Sequence, residues 1–142
     1  MFSGEYRHAI DDKGRITLPA KLRRPFGDGV AVALGKDGCL EVYPKADWLE
    51  RETKVRQLST NDPEIEAYVR ILSGSLHRGE LDKQHRLFLP PHLREMASLE
   101  RDIVIVGVFT RLEIWNVANW QAYRERYLQS YTEIARRSGL GM

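Results

Sequence analysis

Two aspartate–arginine pairs stand out in this chain of 142 residues: Asp11 with Arg15, and Asp82 with Arg86. Both have the spacing Asp-x-x-x-Arg. Both intervals are polar, Asp12-Lys13-Gly14 in one and Lys83-Gln84-His85 in the other. A carboxylate and a guanidinium four residues apart can meet across a tight turn. The guanidinium is a planar fork of donors that fits guanine edges and phosphate oxygens. A carboxylate beside it fixes its rotamer before anything binds, which lowers the entropy lost on binding. Two readings of the spacing stand side by side. Either the pairs only staple their turns, or the turns present Arg15 and Arg86 to a polyanion.

The surrounding charge bears on that choice. The formal net charge is only +2. Residues 7–24, however, set Arg7, Lys13, Arg15, Lys21, Arg23 and Arg24 against Asp11 and Asp12. Residues 77–94 set Arg78, Lys83, Arg86 and Arg94 against Glu80 and Asp82. The rest of the chain is net acidic. All four histidines (His8, His77, His85, His92) also lie in the two basic segments. Such polarity is the electrostatic footprint expected for a polyanion partner, or else a solvated charged face. On the first reading Lys13, Lys21, Arg23 and Arg24, with Lys83 and Arg94 as counterparts, contact phosphates and add affinity more than sequence information.

Other chemistry is poorly represented. There is no phosphate-binding loop, dinucleotide fingerprint or paired-histidine zinc motif, so neither an enzyme nor a cofactor is expected. The histidines lack metal-ligand spacing, and no metal is expected. Cys39, the one cysteine, reads as a small core residue. The longest apolar run, Ile103 to Phe109, is too short to span a bilayer. The N-terminus has no signal-peptide pattern, so the cytoplasm is the default location.

The two motifs belong to a longer repeat. Ile10-Asp11-Asp12-Lys13-Gly14-Arg15-Ile16-Thr17-Leu18-Pro19-Ala20-Lys21-Leu22-Arg23 aligns with Leu81-Asp82-Lys83-Gln84-His85-Arg86-Leu87-Phe88-Leu89-Pro90-Pro91-His92-Leu93-Arg94. Leu40-Glu41-Val42-Tyr43 with Trp48 then aligns with Leu112-Glu113-Ile114-Trp115 with Trp120, and Gly35 with Gly107. Two blocks in the same order at nearly the same offset indicate a duplicated unit.

Each unit reads as strand, turn, strand, helix, strand, strand. Tyr6–Ile10 and Arg15–Leu18 are β-prone runs around a Gly14 turn, a hairpin pattern able to enter a major groove as a ribbon. A helix is expected from Pro19 to Pro25, and its counterpart from Pro90-Pro91. Val30–Leu34 and Ile103–Val106 read as buried strands. Leu40–Tyr43 and Leu112–Trp115 read as half-buried ones. A connector carries a helix over Ala46–Leu58 and a second capped by Asp62-Pro63 and stopped near Gly74. Trp120, Tyr123, Tyr127, Tyr131 and Ile134 form the stripe of one terminal helix, with a frayed tail from Ser138 to Met142.

Taken together, Met1-Phe2-x-Gly4, Ile10 to Pro19, Cys39-Leu40-Glu41-Val42-Tyr43-Pro44 with Trp48, the second Asp82-x-x-x-Arg86, and Gly107 with Glu113-Ile114-Trp115 form a signature. It resembles the MraZ family of bacterial transcriptional regulators, from the first residue to about Trp120. The resemblance implies an α+β fold of tandem AbrB/SpoVT-type swapped-hairpin β-α-β repeats, whose halves form a pseudo-dimeric β-barrel core. The modules would span 5–47 and 76–119, with a helical connector at 48–75 and a C-terminal helix and tail at 120–142. It further implies a ring-like homo-oligomer that binds double-stranded DNA at promoter direct repeats of the division and cell-wall gene cluster, in the cytoplasm and on the nucleoid. A repressor role belongs to the same expectation. The DNA-binding set is then Asp11, Lys13, Arg15, Lys21, Arg23, Arg24, Asp82, Lys83, Arg86 and Arg94. One position departs from the pattern: His85 stands where the first turn has Gly14. Histidine accepts a positive φ less readily than glycine, so the second turn is expected either to differ in shape or to hold some strain, leaving Arg15 the stronger reader. The rival reading is a ring-forming protein adaptor that ignores DNA, with the aromatic stripe as its partner surface.

Overall fold

In the computed structural model, which describes residues 1–59 and 61–140, the same element order runs twice. The first pass is β1 (Glu5–Ala9), β2 (Arg15–Thr17), two 3₁₀ turns (Ala20–Leu22 and Arg24–Phe26), β3 (Val30–Leu34), β4 (Leu40–Pro44) and α1 (Lys45–Arg56). After α2 (Pro63–Ser75) the second pass is β5 (His77–Gly79), β6 (Arg86–Phe88), α3 (Pro91–Met96), β7 (Asp102–Val108), β8 (Arg111–Asn116) and α4 (Val117–Leu128). The chain then adds α5 (Tyr131–Arg137). Among the described residues no helix is long and apolar enough to cross a membrane.

The strands pair between repeats. β1 runs antiparallel to β7, from Glu5 opposite Val106 to Ala9 opposite Asp102. β5 pairs with β3. β2 pairs with β6, placing Arg15 opposite Phe88 and Thr17 opposite Arg86. The expected hairpin of the first two strands is therefore not formed. The Asp11–Arg15 turn closes two backbone bonds, Asp11 N–H to Arg15 C=O at 2.9 Å and Gly14 N–H to Asp11 C=O at 3.0 Å, and the strands then part to different partners. The barrel expectation is also corrected. Six strands form an open sheet in the order β1-β7-β8-β4-β3-β5, and β2-β6 is a separate ribbon. β5, at one edge, is only three residues long. Among the described residues β5 ladders with β3 and β1 with β7, and no ladder joins β5 to β1.

Period-two alternation sorts the sheet's faces. Val30, Val32, Leu40, Val42, Ile103, Ile105, Leu112 and Ile114 point inward. They meet Ile16 and Leu87 from the ribbon, Leu22 and Phe26 from the 3₁₀ turns, and Leu93 from α3 in one core built by both repeats. On the other face α1 and α2 cover Ala31, Ala33 and Tyr43 with Trp48 and Leu72. Trp120 of α4 packs beside Cys39, Val104 and Trp115. Glu41 and Glu113 lie opposite each other on β4 and β8. Glu41, expected on a half-exposed face, is buried; it accepts from Tyr43 Oη at 3.0 Å and pairs with Arg111 at 3.4 Å. Arg111 also bonds Glu113 at 2.8 Å.

Local sequence accounts for the remaining departures. Pro25 has no N–H, so an α-helix begun at Pro19 would lose its bond from residue 25 to the Lys21 carbonyl. The segment closes i→i+3 bonds instead, Leu22 N–H to Pro19 C=O at 2.9 Å and Phe26 N–H to Arg23 C=O at 3.1 Å. In the second repeat both prolines stand at the start, and α3 forms. Asp62 caps α2 as expected, accepting from Glu64 N–H at 2.9 Å, but the helix runs through Gly74 to Ser75. The single terminal helix is two: Ser130 leaves helical geometry (φ −105°, ψ 10°) and starts α5. Ser130-Tyr131-Thr132-Glu133 has the Ser-x-x-Glu order of a capping box, although Ser130 makes no side-chain cap bond. Of the expected frayed tail, residues 141 and 142 lie outside the described residues.

Candidate nucleic-acid interface

The two Asp-x-x-x-Arg turns are built alike. In the first, Asp11 Oδ1 accepts from the backbone N–H of Lys13 and of Arg15, both at 2.9 Å, and Oδ2 accepts from Arg15 Nε at 2.8 Å. In the second, Asp82 Oδ1 accepts from Gln84 at 2.8 Å and Arg86 at 3.0 Å, and Oδ2 accepts from Arg86 Nε at 2.7 Å. These bonds stabilise the ionised carboxylates. Chiefly through the backbone N–H of Arg15, the Asp11 carboxyl is held below the ordinary aspartate range, and Arg86 acts likewise on Asp82. Among the described residues the hydrogen bonds of each fork to its aspartate are made by Nε, so the terminal nitrogens can donate outward.

His85 settles the expectation raised by its type. Its φ is +60°, close to the +80° of Gly14, so the second turn keeps the shape of the first and holds a strained residue to do so. The side chains of Arg15 and Arg86 are equally exposed, at 26% and 25%. Geometry therefore gives no reason for Arg15 to outrank Arg86.

The turns flank the β2-β6 ribbon. Ile16 and Leu87 face the core, so Arg15, Thr17, Arg86 and Phe88 must face outward. With Arg15 opposite Phe88 and Arg86 opposite Thr17, the two arginines are offset by two residues and one strand. Strand geometry then sets their Cα atoms about 8 Å apart. Thr17 and Phe88 were missed in reading the sequence for charge alone. The Arg-x-Thr and Arg-x-Phe alternation was the signal that placed them.

The other cations divide into two groups. Lys13 and Lys83 are exposed on the turns, and Lys21 and Arg24 on the 3₁₀ segment. Arg23 and Arg94 are half-buried, and each Nε donates to a backbone carbonyl: Leu18 at 2.7 Å and Leu89 at 2.8 Å. Arg23 and Arg24 share a groove of about 320 Å³ with Asp82 and His85. Arg78 lies apart and pairs with Glu52 on α1.

Among the described residues, nothing near the ribbon is arranged for nucleophilic chemistry. Cys39 is buried on the far face of the sheet, and burial pushes its thiol well above the ordinary range.

Comparison with known proteins identifies the family of the chain. A sequence model of the family described as "MraZ protein, putative antitoxin-like" matches residues 1–71 and 75–139, dividing the chain between its repeats. A protein of Heliobacterium modesticaldum named "Transcriptional regulator MraZ" is 44% identical over 135 residues, 95% of this chain and 94% of the relative. One of Natranaerobius thermophilus with the same name is 42% identical with the same coverage. One of Acetivibrio thermocellus, also so named, is 38% identical over 140 residues, 99% of this chain and 98% of the relative. With a match along nearly its whole length, the chain belongs to the MraZ family, a family of transcriptional regulators and not of enzymes.

Proposed function

We propose that this chain is a sequence-specific DNA-binding regulator of transcription that reads double-stranded DNA with the outer face of the β2-β6 ribbon and its two flanking turns. One observation carries the reading. Two repeats place identical, pre-fixed arginine forks, Arg15 and Arg86, on one exposed two-stranded surface. A two-stranded ribbon fits the major groove, where an arginine bonded to guanine O6 and N7 is worth about 1–3 kcal/mol of base discrimination. Asp11 and Asp82 orient the forks. Lys13, Lys21, Arg24 and Lys83 supply phosphate contacts.

The finer reading follows the family. The repeats, 5–47 and 76–119, act as AbrB/SpoVT-type swapped-hairpin modules, and the pairing of β1 with β7 and of β5 with β3 supports that exchange. Residues 48–75 connect them, and 120–142 form a C-terminal helical extension. The target is the promoter of the division and cell-wall gene cluster, bound through direct repeats and repressed from the cytoplasm and nucleoid. Ring-like homo-oligomers would turn weak single-chain binding into avid binding to repeated sites. Tyr127, Leu128, Tyr131 and Ile134, exposed along α4 and α5, support such self-association.

Anisotropy titrations test the proposal with labelled DNA from upstream of the protein's own gene and with scrambled DNA, at several salt concentrations. Preference for the native DNA, together with a steep loss of affinity as salt rises, supports it. Binding without preference reduces the surface to a nonspecific basic patch. Absence of binding at low salt favours the adaptor reading.

A further inference from the structure

Arg23 and Arg94 occupy equivalent places, five residues after Leu18 and Leu89, and each is tied to the turn of the opposite repeat. The β2-β6 ladder is extended by one bond at either end. Leu89 N–H donates to Gly14 C=O at 2.8 Å, and Leu18 N–H donates to His85 C=O at 3.2 Å. The last residue of each turn thus hangs on the strand end of the other repeat. The carbonyl of that same strand-end residue accepts the arginine Nε, at 2.8 Å for Arg94 on Leu89 and 2.7 Å for Arg23 on Leu18. The Arg94 guanidinium lies flat against the first turn: a Cβ on Gly14 would sit 2.9 Å from its Nη2 and 3.0 Å from its Cζ. Arg23 lines the groove beside Asp82 and His85 of the second turn.

We infer that Arg23 and Arg94 are positioning residues, each repeat's arginine locking the other repeat's Asp-x-x-x-Arg turn in its presenting geometry. A cation serving mainly as a phosphate contact gains from a mobile side chain that can follow the backbone. These two have their Nε bonded to carbonyls inside the protein, with the Arg94 guanidinium set against Gly14 and Arg23 lining the groove beside Asp82 and His85. The lock is crossed, each turn being held by the other repeat's arginine, so neither repeat presents its own arginine unaided. It also gives Gly14 a second task beyond its positive φ, because the space of a side chain is taken by Arg94.

Two readouts test the inference, and only the second rests on the DNA reading. In the free full-length protein, amide hydrogen exchange is followed in Arg94→Ala and Arg23→Ala. The lock predicts that Arg94→Ala speeds exchange about fivefold or more at Gly14 and Leu89 while leaving His85 and Leu18 unchanged, and that Arg23→Ala does the converse. Unchanged exchange, or a change confined to the variant's own turn, overturns the inference even if DNA binding is intact. In DNA titrations a phosphate contact contributes about 0.9 to the salt slope. A positioning residue leaves that slope unchanged and lowers the preference for native over scrambled DNA. Arg94→Lys separates the two further, since lysine restores charge but not the fork. Rescue of affinity by lysine, with the slope restored, would make Arg94 a phosphate contact and overturn the lock. Should the wild type bind no DNA, the proposed function fails and the exchange experiment still decides the lock.

Discussion

Gly14 and Gly38 form a matched pair that isolates the contact between Arg94 and the first turn. Their φ values are +80° and +79°, but a Cβ at Gly14 would meet Arg94 whereas one at Gly38 meets nothing within 4 Å. Alanine at either site takes on the left-handed penalty of about 1–2 kcal/mol. Part of that is returned, roughly 0.4–1 kcal/mol, because alanine restricts the unfolded chain. Gly38→Ala should therefore cost about 1 kcal/mol. Gly14→Ala must in addition push the Arg94 guanidinium aside and loosen its bond to Leu89, a further loss of about 1 kcal/mol. Urea unfolding of the two variants, alone and combined with Arg94→Ala, measures the difference. The excess cost at Gly14 should vanish once Arg94 is alanine, while the cost at Gly38 stays the same. Equal costs in the wild-type background, or an excess that survives the loss of Arg94, would refute the packing of this arginine on the turn.

Further outcomes follow from the same geometry. Arg15→Ala and Arg86→Ala should weaken specific DNA binding by similar amounts, about 1–3 kcal/mol each in anisotropy titrations; a large inequality would show that His85 alters presentation. In acid the turns should loosen. Asp11 and Asp82 are held below their ordinary value of 3.8, so the stability they contribute is full above that value and disappears as pH falls through the lower folded one. Carboxyl titration by NMR checks this, and titration at or above 3.8 would contradict it. His77 is shifted down from 6.5, mainly by burial, so the unfolded chain takes up the proton first and stability should rise with pH in the window below 6.5. His77→Gln should flatten that rise in denaturant midpoints. Arg111→Met should destabilise the fold by roughly 3 kcal/mol, because it leaves Glu41 and Glu113 facing each other without their shared cation. A neutral result would mean that water or a neighbouring subunit neutralises the pair.

The turns were legible in the sequence because everything that builds them is local: an aspartate, a polar interval and an arginine within five residues, seen twice. The Val30–Leu34 strand and the Asp62 cap were legible for the same reason. The pairing of β1 with β7 and of β2 with β6 was not. Segments some 70–100 residues apart find each other through complementary buried faces, and a local pattern of two strands around a turn suggests a hairpin whether or not its strands pair. Arg23 and Arg94 were assigned to phosphates by residue type. The signal for their other use was the repeated Leu-Pro-x-x-Leu-Arg spacing, which places each arginine within reach of its Leu18 or Leu89 carbonyl. His85 showed the opposite case. Its type allowed either a changed turn or some strain, and the second turn keeps the shape of the first with His85 held at a φ of +60°, while Asp82 bonds the backbone as Asp11 does.

The most direct measurement is the DNA preference of the double variant Arg15→Ala, Arg86→Ala, with the remaining cations intact. If the paired forks read bases, this protein should still bind DNA at low salt but bind native and scrambled sequences equally. A variant that retains the wild-type preference would contradict recognition through the Asp-x-x-x-Arg turns.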